Sequence, residues 1–344
     1  MKHNVALTLK EKIALTGFAG MVVSSLALSG VYLSRITDEQ QPSDDIVNYD
    51  LSPDNEAPTG DAVGEGANSL PVEGRDVVTV SRQNPIDREP ASTTSSPRSI
   101  EPPLWRKNAV QPPALNGKIP LAIVIDDMGH DMEMTDQMAT LPRPMTFSFL
   151  PYISNLQEQA KTVSVMGHEL MLHLPMEPSG SNNPGPNALV RDLPYNETLK
   201  RLRWNLDQFE GYVGINNHMG SQYTTSRSFM FPVLQEVHKR ELLFLDSRTS
   251  ANSVGMSLSE ELDIPTLERD VFLDNVRDLK LIERQLETLE KSALSKGYGI
   301  AIGHPYNETY QALRNWLPTL DEKGFILWPI SAFIDYQAEK KAGQ

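Results

Sequence analysis

The chain contains no cysteine in its 344 residues. Disulfides, thiolate nucleophiles and cysteine-built zinc sites are thereby excluded. Basic residues are also in short supply: Lys and Arg total 31 against 45 Asp and Glu, a formal net charge of -14. That balance argues against nucleic acid as a partner, because backbone phosphates reward clustered Lys and Arg. What is present in ordinary amount is hydrophobic residues, 39% of the chain, enough for a real core. They are unevenly spread.

Ile13 to Leu33 carries no charged residue, and at roughly 20 residues such a run spans a bilayer as a helix. Lys2, Lys10 and Lys12 precede it, so the positive-inside tendency keeps residues 1–12 as a cytoplasmic stub and exports the rest. The expectation is a single-pass bacterial inner-membrane anchor over 13–33 with the remainder periplasmic. A cleaved signal is the rival reading, since Ala27-x-Ser29 offers small residues to a peptidase. Residues 34–118 then turn proline-rich and acidic. Apolar residues there are too sparse to offset ordering entropy, which predicts a disordered spacer up to Lys118, with Leu104 and Trp105 near its end either docked on the domain or exposed.

From 119 to 337 the pattern changes again, ahead of a short tail over 338–344. Leu121-Ala-Ile-Val-Ile125 is a continuous apolar run, as expected of a strand buried on both faces. Similar runs recur at 145–150, 170–174, 213–215, 242–245, 271–273, 298–302 and 325–328, with amphipathic helical stretches between them. Strands alternating with helices mean βα units and a mostly parallel sheet. Seven to eight units in this length fit an α/β barrel. No Gly-x-Gly-x-x-Gly follows the first run to support an open dinucleotide-binding sheet.

Polar residues gather where the runs end. Asp126-Asp127, His173 with Glu177, Asn216-Asn217-His218, Asp246 with Arg248, and His304 each follow a run, and Arg269-Asp270 precede the sixth. In barrels the carboxyl ends of the strands form the site, so these groups should converge. Paired aspartates with two or three histidines suit a divalent cation, zinc foremost, whose three protein ligands keep a position open for water. One aspartate would ligate and the other take a proton. A helix cap is the plainer explanation of the pair and accounts for one Asp better than two. Of the other histidines, His130 could line the mouth, and His168 starts the third strand at the opposite end.

These residues together resemble the divergent polysaccharide deacetylases. The motifs are Ile125-Asp-Asp-Met-Gly129, Gly167-His-Glu-Leu-Met-Leu-His-Leu-Pro-Met-Glu177, Ile215-Asn-Asn-His-Met-Gly220, Phe244-Leu-Asp-Ser-Arg-Thr249, Arg269-Asp-Val-Phe-Leu-Asp274 and Ile300-Ala-Ile-Gly-His-Pro305. The resemblance implies a distorted (β/α) barrel and metal-dependent N-deacetylation of acetylated amino sugars, possible substrates being envelope polysaccharides such as peptidoglycan. It also implies Asp126 as general base, His304 as general acid and Asp127 as metal ligand. The relatives' His-x-x-x-His falls on His173 and Glu177, so His218 becomes the third expected ligand and Glu177 the reserve. Asn217, Asp246, Arg248, Arg269 and Asp270 are expected around substrate, with Asp246 or Asp270 beside His304. The alternative function is a catalytically silent envelope protein that binds glycan on the same fold; an esterase or phosphodiesterase is a third.

Overall fold

The computed structural model describes residues 101–342. The expected stub, the apolar segment 13–33 and the linker up to residue 100 lie outside the described residues. Among those described, no helix is long and apolar enough to cross a membrane.

The chain opens with α1 (Leu104–Asn108), β1 (Ile119–Met128), α2 (Met132–Ala139), β2 (Thr146–Phe149), α3 (Leu156–Val165) and β3 (Glu169–Met176). It continues through α4 (Tyr195–Leu206), β4 (Gly214–Met219), α5 (Arg227–Lys239), β5 (Leu243–Asp246), α6 (Gly255–Glu261), β6 (Thr266–Glu268) and β7 (Val271–Phe272). It closes with α7 (Leu279–Lys296), β8 (Gly299–Gly303), α8 (Asn307–Trp316), β9 (Phe325–Leu327) and α9 (Ala332–Ala342). The last helix therefore runs past the expected domain end at 337.

Every strand pairing is parallel, and eight strands follow the path β6-β5-β4-β3-β2-β1-β8-β7, with β9 joined to the start of β1. The two end strands, β6 and β7, are consecutive in the chain. At the step between them the Arg269 amide donates to Asp246 O and the Asp270 amide to Ile300 O, so neighbouring residues grip opposite edges of the curled sheet. The expected barrel-like α/β architecture holds, and β6, too short to stand out in the sequence, is the added strand.

Alternation sorts each strand into two faces. On β1, Leu121, Ile123 and Ile125 join the helices' Leu202, Val233 and Ile282 in one apolar cluster. Ala122 and Val124 join Met171, Leu243, Leu245, Leu267, Ile300 and Ile302 in a second cluster, inside the curl. Each fully buried aliphatic side chain of this kind stabilises the fold by about 1.5–3 kcal/mol. The helices follow the same logic. α7 buries Ile282, Leu286, Leu289 and Ala293 along one stripe, starts at Asp278, whose side chain accepts from Leu281 N, and stops at Gly297 with φ 85°.

The spacer prediction fails at its C-terminal end. Residues 104–115 strap across the amino-terminal floor of the sheet. Trp105 is buried in the interior cluster with Trp328 and Phe333, Asn108 donates to Tyr212 O, and Trp328 donates to Pro113 O. The physical reason is that the inner cluster would otherwise be open to water at the floor. A single tryptophan flanked by prolines carries enough apolar area to cover it, so of the two outcomes open for Trp105 the docked one is found.

Candidate metal centre

The interior stripe that is apolar at the floor becomes polar at the mouth. Following Ala122 and Val124 on β1, the next inward residue is Asp126; following Met171 on β3, it is His173; following Ile300 and Ile302 on β8, it is His304. Asn216 and His218 occupy the matching stripe of β4, paired with β3 through His173–Asn216 and Pro175–His218.

Asp127 should point outward by that rule. It does not, because β1 takes three steps from Ile125 to Met128 while β2 takes two from Phe147 to Phe149. The extra residue is a bulge, and Asp127 sits in it at φ 54°, a left-handed conformation that Asp tolerates better than most side chains. Two neighbouring aspartates thus reach one cavity. The helix-cap explanation does not apply, since Asp131 caps α2 by accepting from Met134 N. Met219 (φ 54°) and Arg248 (φ 51°) are bent the same way at the exits of β4 and β5, so strained backbone gathers at this mouth.

Asp127, His173 and His218 converge as the sequence suggested, each offering one ligand atom within 4.8 Å of the others. His218 Nδ1 lies 2.8 Å from Asp127 Oδ1, and His173 Nε2 lies 3.3 Å from it. Yet this buried oxygen receives no hydrogen bond among the described residues. Two imidazoles crowd a carboxylate oxygen without aiming an N–H at it. That arrangement fits a divalent cation held among the three, and Asn216 explains how His173 is prepared for it. Asn216 Nδ2 donates to both oxygens of Asp126 (2.8 and 3.0 Å), and its Oδ1, 2.9 Å from His173 Nδ1, also accepts from Ser148 Oγ. His173 therefore carries a proton on Nδ1 and turns Nε2 inward; burial works against a second proton there, but Asp126 and Asp127 outweigh it and raise the ring's pKa, so a cation would take the place of that proton.

The electrostatics follow. Burial pushes the Asp126 carboxyl up, with His173, His304 and the Asn216 amide pulling it back only in part. Burial acts the same way on Asp127, but the two histidines overwhelm it and hold that carboxyl well below the usual range. Across the cavity, His304 Nε2 is 4.0 Å from Asp127 Oδ2, and His304 Nδ1 is 2.8 Å from Asp274 Oδ1. Burial alone would lower His304. The Asp274 carboxylate reverses this, helped by Asp127 and Asp126, and raises it to about 9. Asp274 is itself fixed by the His304 amide and Thr309 Oγ1. The result is a cavity of about 520 Å³ with a depressed carboxylate, an elevated carboxylate and a persistently protonated imidazole on its walls.

Several expectations need correction. Glu177 is no reserve ligand: Arg191 claims it through its amide and guanidinium, because β3 ends before it and the chain turns away. Asp246 lies on the face of β5 that it shares with Phe244, away from the interior, and accepts from Arg248 N and Ser253 Oγ. Asp270 sits toward the floor, paired with Lys296 and Ile300 N. The carboxylate beside His304 is Asp274, which its position just after the β7 run could have revealed. His130 is exposed and not among the cavity's lining residues. Asn217, Arg248 and Arg269 do line the cavity; Asn217 ties the exits of β4 and β5 together through Ser247 N, Thr249 Oγ1 and Met219 O. Asn216, part of the strand-exit motif but without an expected role of its own, is the hub of the network.

The family model described as divergent polysaccharide deacetylase matches residues 123–334. An uncharacterized Escherichia coli K12 protein, YibQ, is 33% identical over 212 residues, 62% of this chain and 66%, just under two thirds, of that protein. An uncharacterized Haemophilus influenzae protein is 28% identical over 202 residues, covering 59% of this chain and 72% of its own length. The crystal structure of an uncharacterized protein from Agrobacterium tumefaciens C58 is similar with a TM-score of 0.65 and 27% identity, covering 67% of this chain and 95% of that one.

Proposed function

This chain belongs to the divergent polysaccharide deacetylase family, and on that premise we propose that its barrel mouth removes N-acetyl groups from amino sugars of envelope polysaccharide, of the peptidoglycan kind. Asp127, His173 and His218 hold the divalent cation, which we take to be zinc. The supporting observation is the buried Asp127 oxygen that faces two imidazoles and accepts from neither, with a carboxylate and a protonated imidazole flanking it. A cation bound there polarises a carbonyl and eases deprotonation of water.

The chain's own residues do the rest. Asp126, fixed through both oxygens by Asn216, takes a proton from the attacking water as its oxygen joins the acetamide carbon. His304, kept protonated by Asp274, gives a proton to the sugar nitrogen as the C–N bond breaks, leaving acetate and a free amine. Burial elevates the base and Asp274 keeps the acid protonated, and a base elevated toward working pH beside an acid that still holds its proton is what proton transfer rewards. The same proposal includes export, with residues 13–33 as inner-membrane anchor and the following spacer giving the barrel reach toward the wall.

The test is acetate release from acetylated glycan oligomers by metal-loaded protein. Asp126→Asn should cut turnover on the order of 10²- to 10⁴-fold with metal content unchanged. Wild-type protein that carries metal and binds glycan but releases no acetate would replace this reading with the silent glycan-binding one.

A further inference from the structure

The mouth of the barrel is divided by charge. The cation cluster and Asp126 come from β1, β3 and β4, whereas Arg248 follows β5, Arg269 links β6 to β7, and Arg277 follows β7; all three arginines line the same cavity. In a chain of net charge -14 that is an unexpected concentration. The acids in the lining are committed elsewhere: Asp126 to Asn216, Asp274 to His304 and Thr309, and Asp127 to the cation cluster on the opposite side. The charge left facing the lumen on the β5–β7 side is positive.

The three arginines differ in what they are free to do. Arg269 spends Nε and one terminal nitrogen on the carbonyls of Ser247 and Arg248, securing the exit of β5. Arg248 Nε stands 3.6 Å from Glu268, a loose, half-exposed pair. Arg277 makes no salt bridge or side-chain hydrogen bond among the described residues. Its guanidinium instead lies 3.4 Å from the centroid of the Tyr306 ring. Tyr306 in turn stacks on His304, with centroids 5.5 Å apart and planes 21° apart. Imidazole, phenol and guanidinium thus form one series running outward from the reacting centre. Stacking occupies the flat face of a guanidinium and leaves its in-plane N–H fork open, the geometry that grips a carboxylate or phosphate with two bonds.

We infer that the acetylated glycan accepted here is anionic, carrying a carboxylate or phosphate beside the acetamide that is cleaved, and that Arg277 is the residue that reads that charge, with Arg248 assisting from the β5 side. The inference rests on the deacetylase reading and narrows its substrate class. Tyr306 links recognition to chemistry, because the ring that positions Arg277 also braces His304.

The experiment measures equilibrium binding and acetate release for the metal-loaded full chain on three oligomers: a neutral N-acetylglucosamine oligomer, one whose sugars carry a lactyl carboxylate, and one bearing a phosphate monoester. At least one anionic oligomer should bind about tenfold or more tightly than the neutral one, the preference shrinking as salt rises. Arg277→Gln should bring that ratio close to one. Arg227→Gln, which removes an equal charge from the surface pair between Arg227 of α5 and Glu261 of α6, should leave the ratio intact. Equal binding of neutral and charged oligomers overturns the inference, as does a ratio that Arg277→Gln leaves unchanged. The two readings separate cleanly: anionic preference without acetate release sinks the deacetylase, and acetate release without preference sinks only the charge recognition.

Discussion

The two ends of the barrel bury the same chemistry with opposite results. At the floor, the Met145 amide donates to His168 Nδ1, and His168 Nε2 lies 3.0 Å from Ala139 O, which fixes a neutral ring. Burial, first of all, lowers that histidine's pKa to match. Glu169 beside it accepts from Ser331 N and Oγ, Val110 N and Thr146 Oγ1. At the mouth, Asp127 keeps a buried oxygen without a donor. A buried polar group that the chain satisfies by itself is architecture; one arranged beside others and left open is prepared for something from outside. The carboxyls diverge accordingly, Glu169 pushed up to about 7 by burial and Asp127 drawn far down by its histidines.

The sharpest way to break this comparison is Asp127→Asn. Asparagine tolerates the left-handed backbone at φ 54°, so the domain should stay folded while stoichiometric metal is lost. Elemental analysis of the purified variant decides it, and full metal occupancy would put mouth and floor in the same class.

Next in size is the pH dependence of turnover. His304 must be protonated to donate, and its raised pKa keeps the proton until pH climbs through about 9. Activity should therefore fall on the alkaline side near that value. Asp274→Asn removes the main cause and should move the alkaline limb down by one to two pH units, a shift typical of a lost carboxylate neighbour; a limb that stays put means another group is the acid.

At the floor the effects belong to stability. Glu169→Ala strands the Ser331 and Val110 amides and should cost about 3 kcal/mol of unfolding free energy with metal affinity unchanged. Glu169 also carries a pH signature. Its folded pKa, about 7, lies above the ordinary 4.5, so the folded state holds the extra proton between those values. Stability should fall by about 3 kcal/mol as pH rises across that window, and Glu169→Gln should flatten the slope in denaturant titrations followed from pH 4.5 to 7. The smallest change is Arg106→Ala. The Arg106–Asp335 pair is bidentate but half exposed, so its loss should register below about 1 kcal/mol; a larger loss would mean that the strap rests on charge and not on Trp105.

Much of this was legible in the sequence because period-2 patterning states which residues face inward, and polar groups at strand exits mark the mouth. That logic points to Asp126, His173, His218 and His304, whereas Asp127 stands out only as the second of two adjacent aspartates and reaches the cavity through a bulge. The pattern fails where an exit residue's own period points it outward and where the chain changes partners. Asp246 follows a strand exit yet sits on the outward face, and Asp270 adjoins a break where the chain changes partners, so neither reaches His304. Asn216 and Asn217 are indistinguishable as neighbours in a sequence; only strand register tells that one bonds both Asp126 and His173. The floor strap is legible only as an open choice at Leu104 and Trp105, because its few apolar residues pack against strands far away along the chain, and of the two it is Trp105 that is buried.

The pairing of β1 has a consequence for synthesis. This strand carries both aspartates, yet it is completed by β2 on one side only over Val124–Met128, and by β8 and β9, which follow every other strand of the sheet in the chain. A chain emerging from the ribosome keeps one edge of its aspartate-bearing strand unpaired until residues 299–327 arrive. Closing so long a loop is slow more than it is destabilising, and an open apolar edge invites pairing with other chains meanwhile. Translation halted before Gly299 should yield a nascent domain that binds no metal and aggregates, so the centre assembles only when the barrel does.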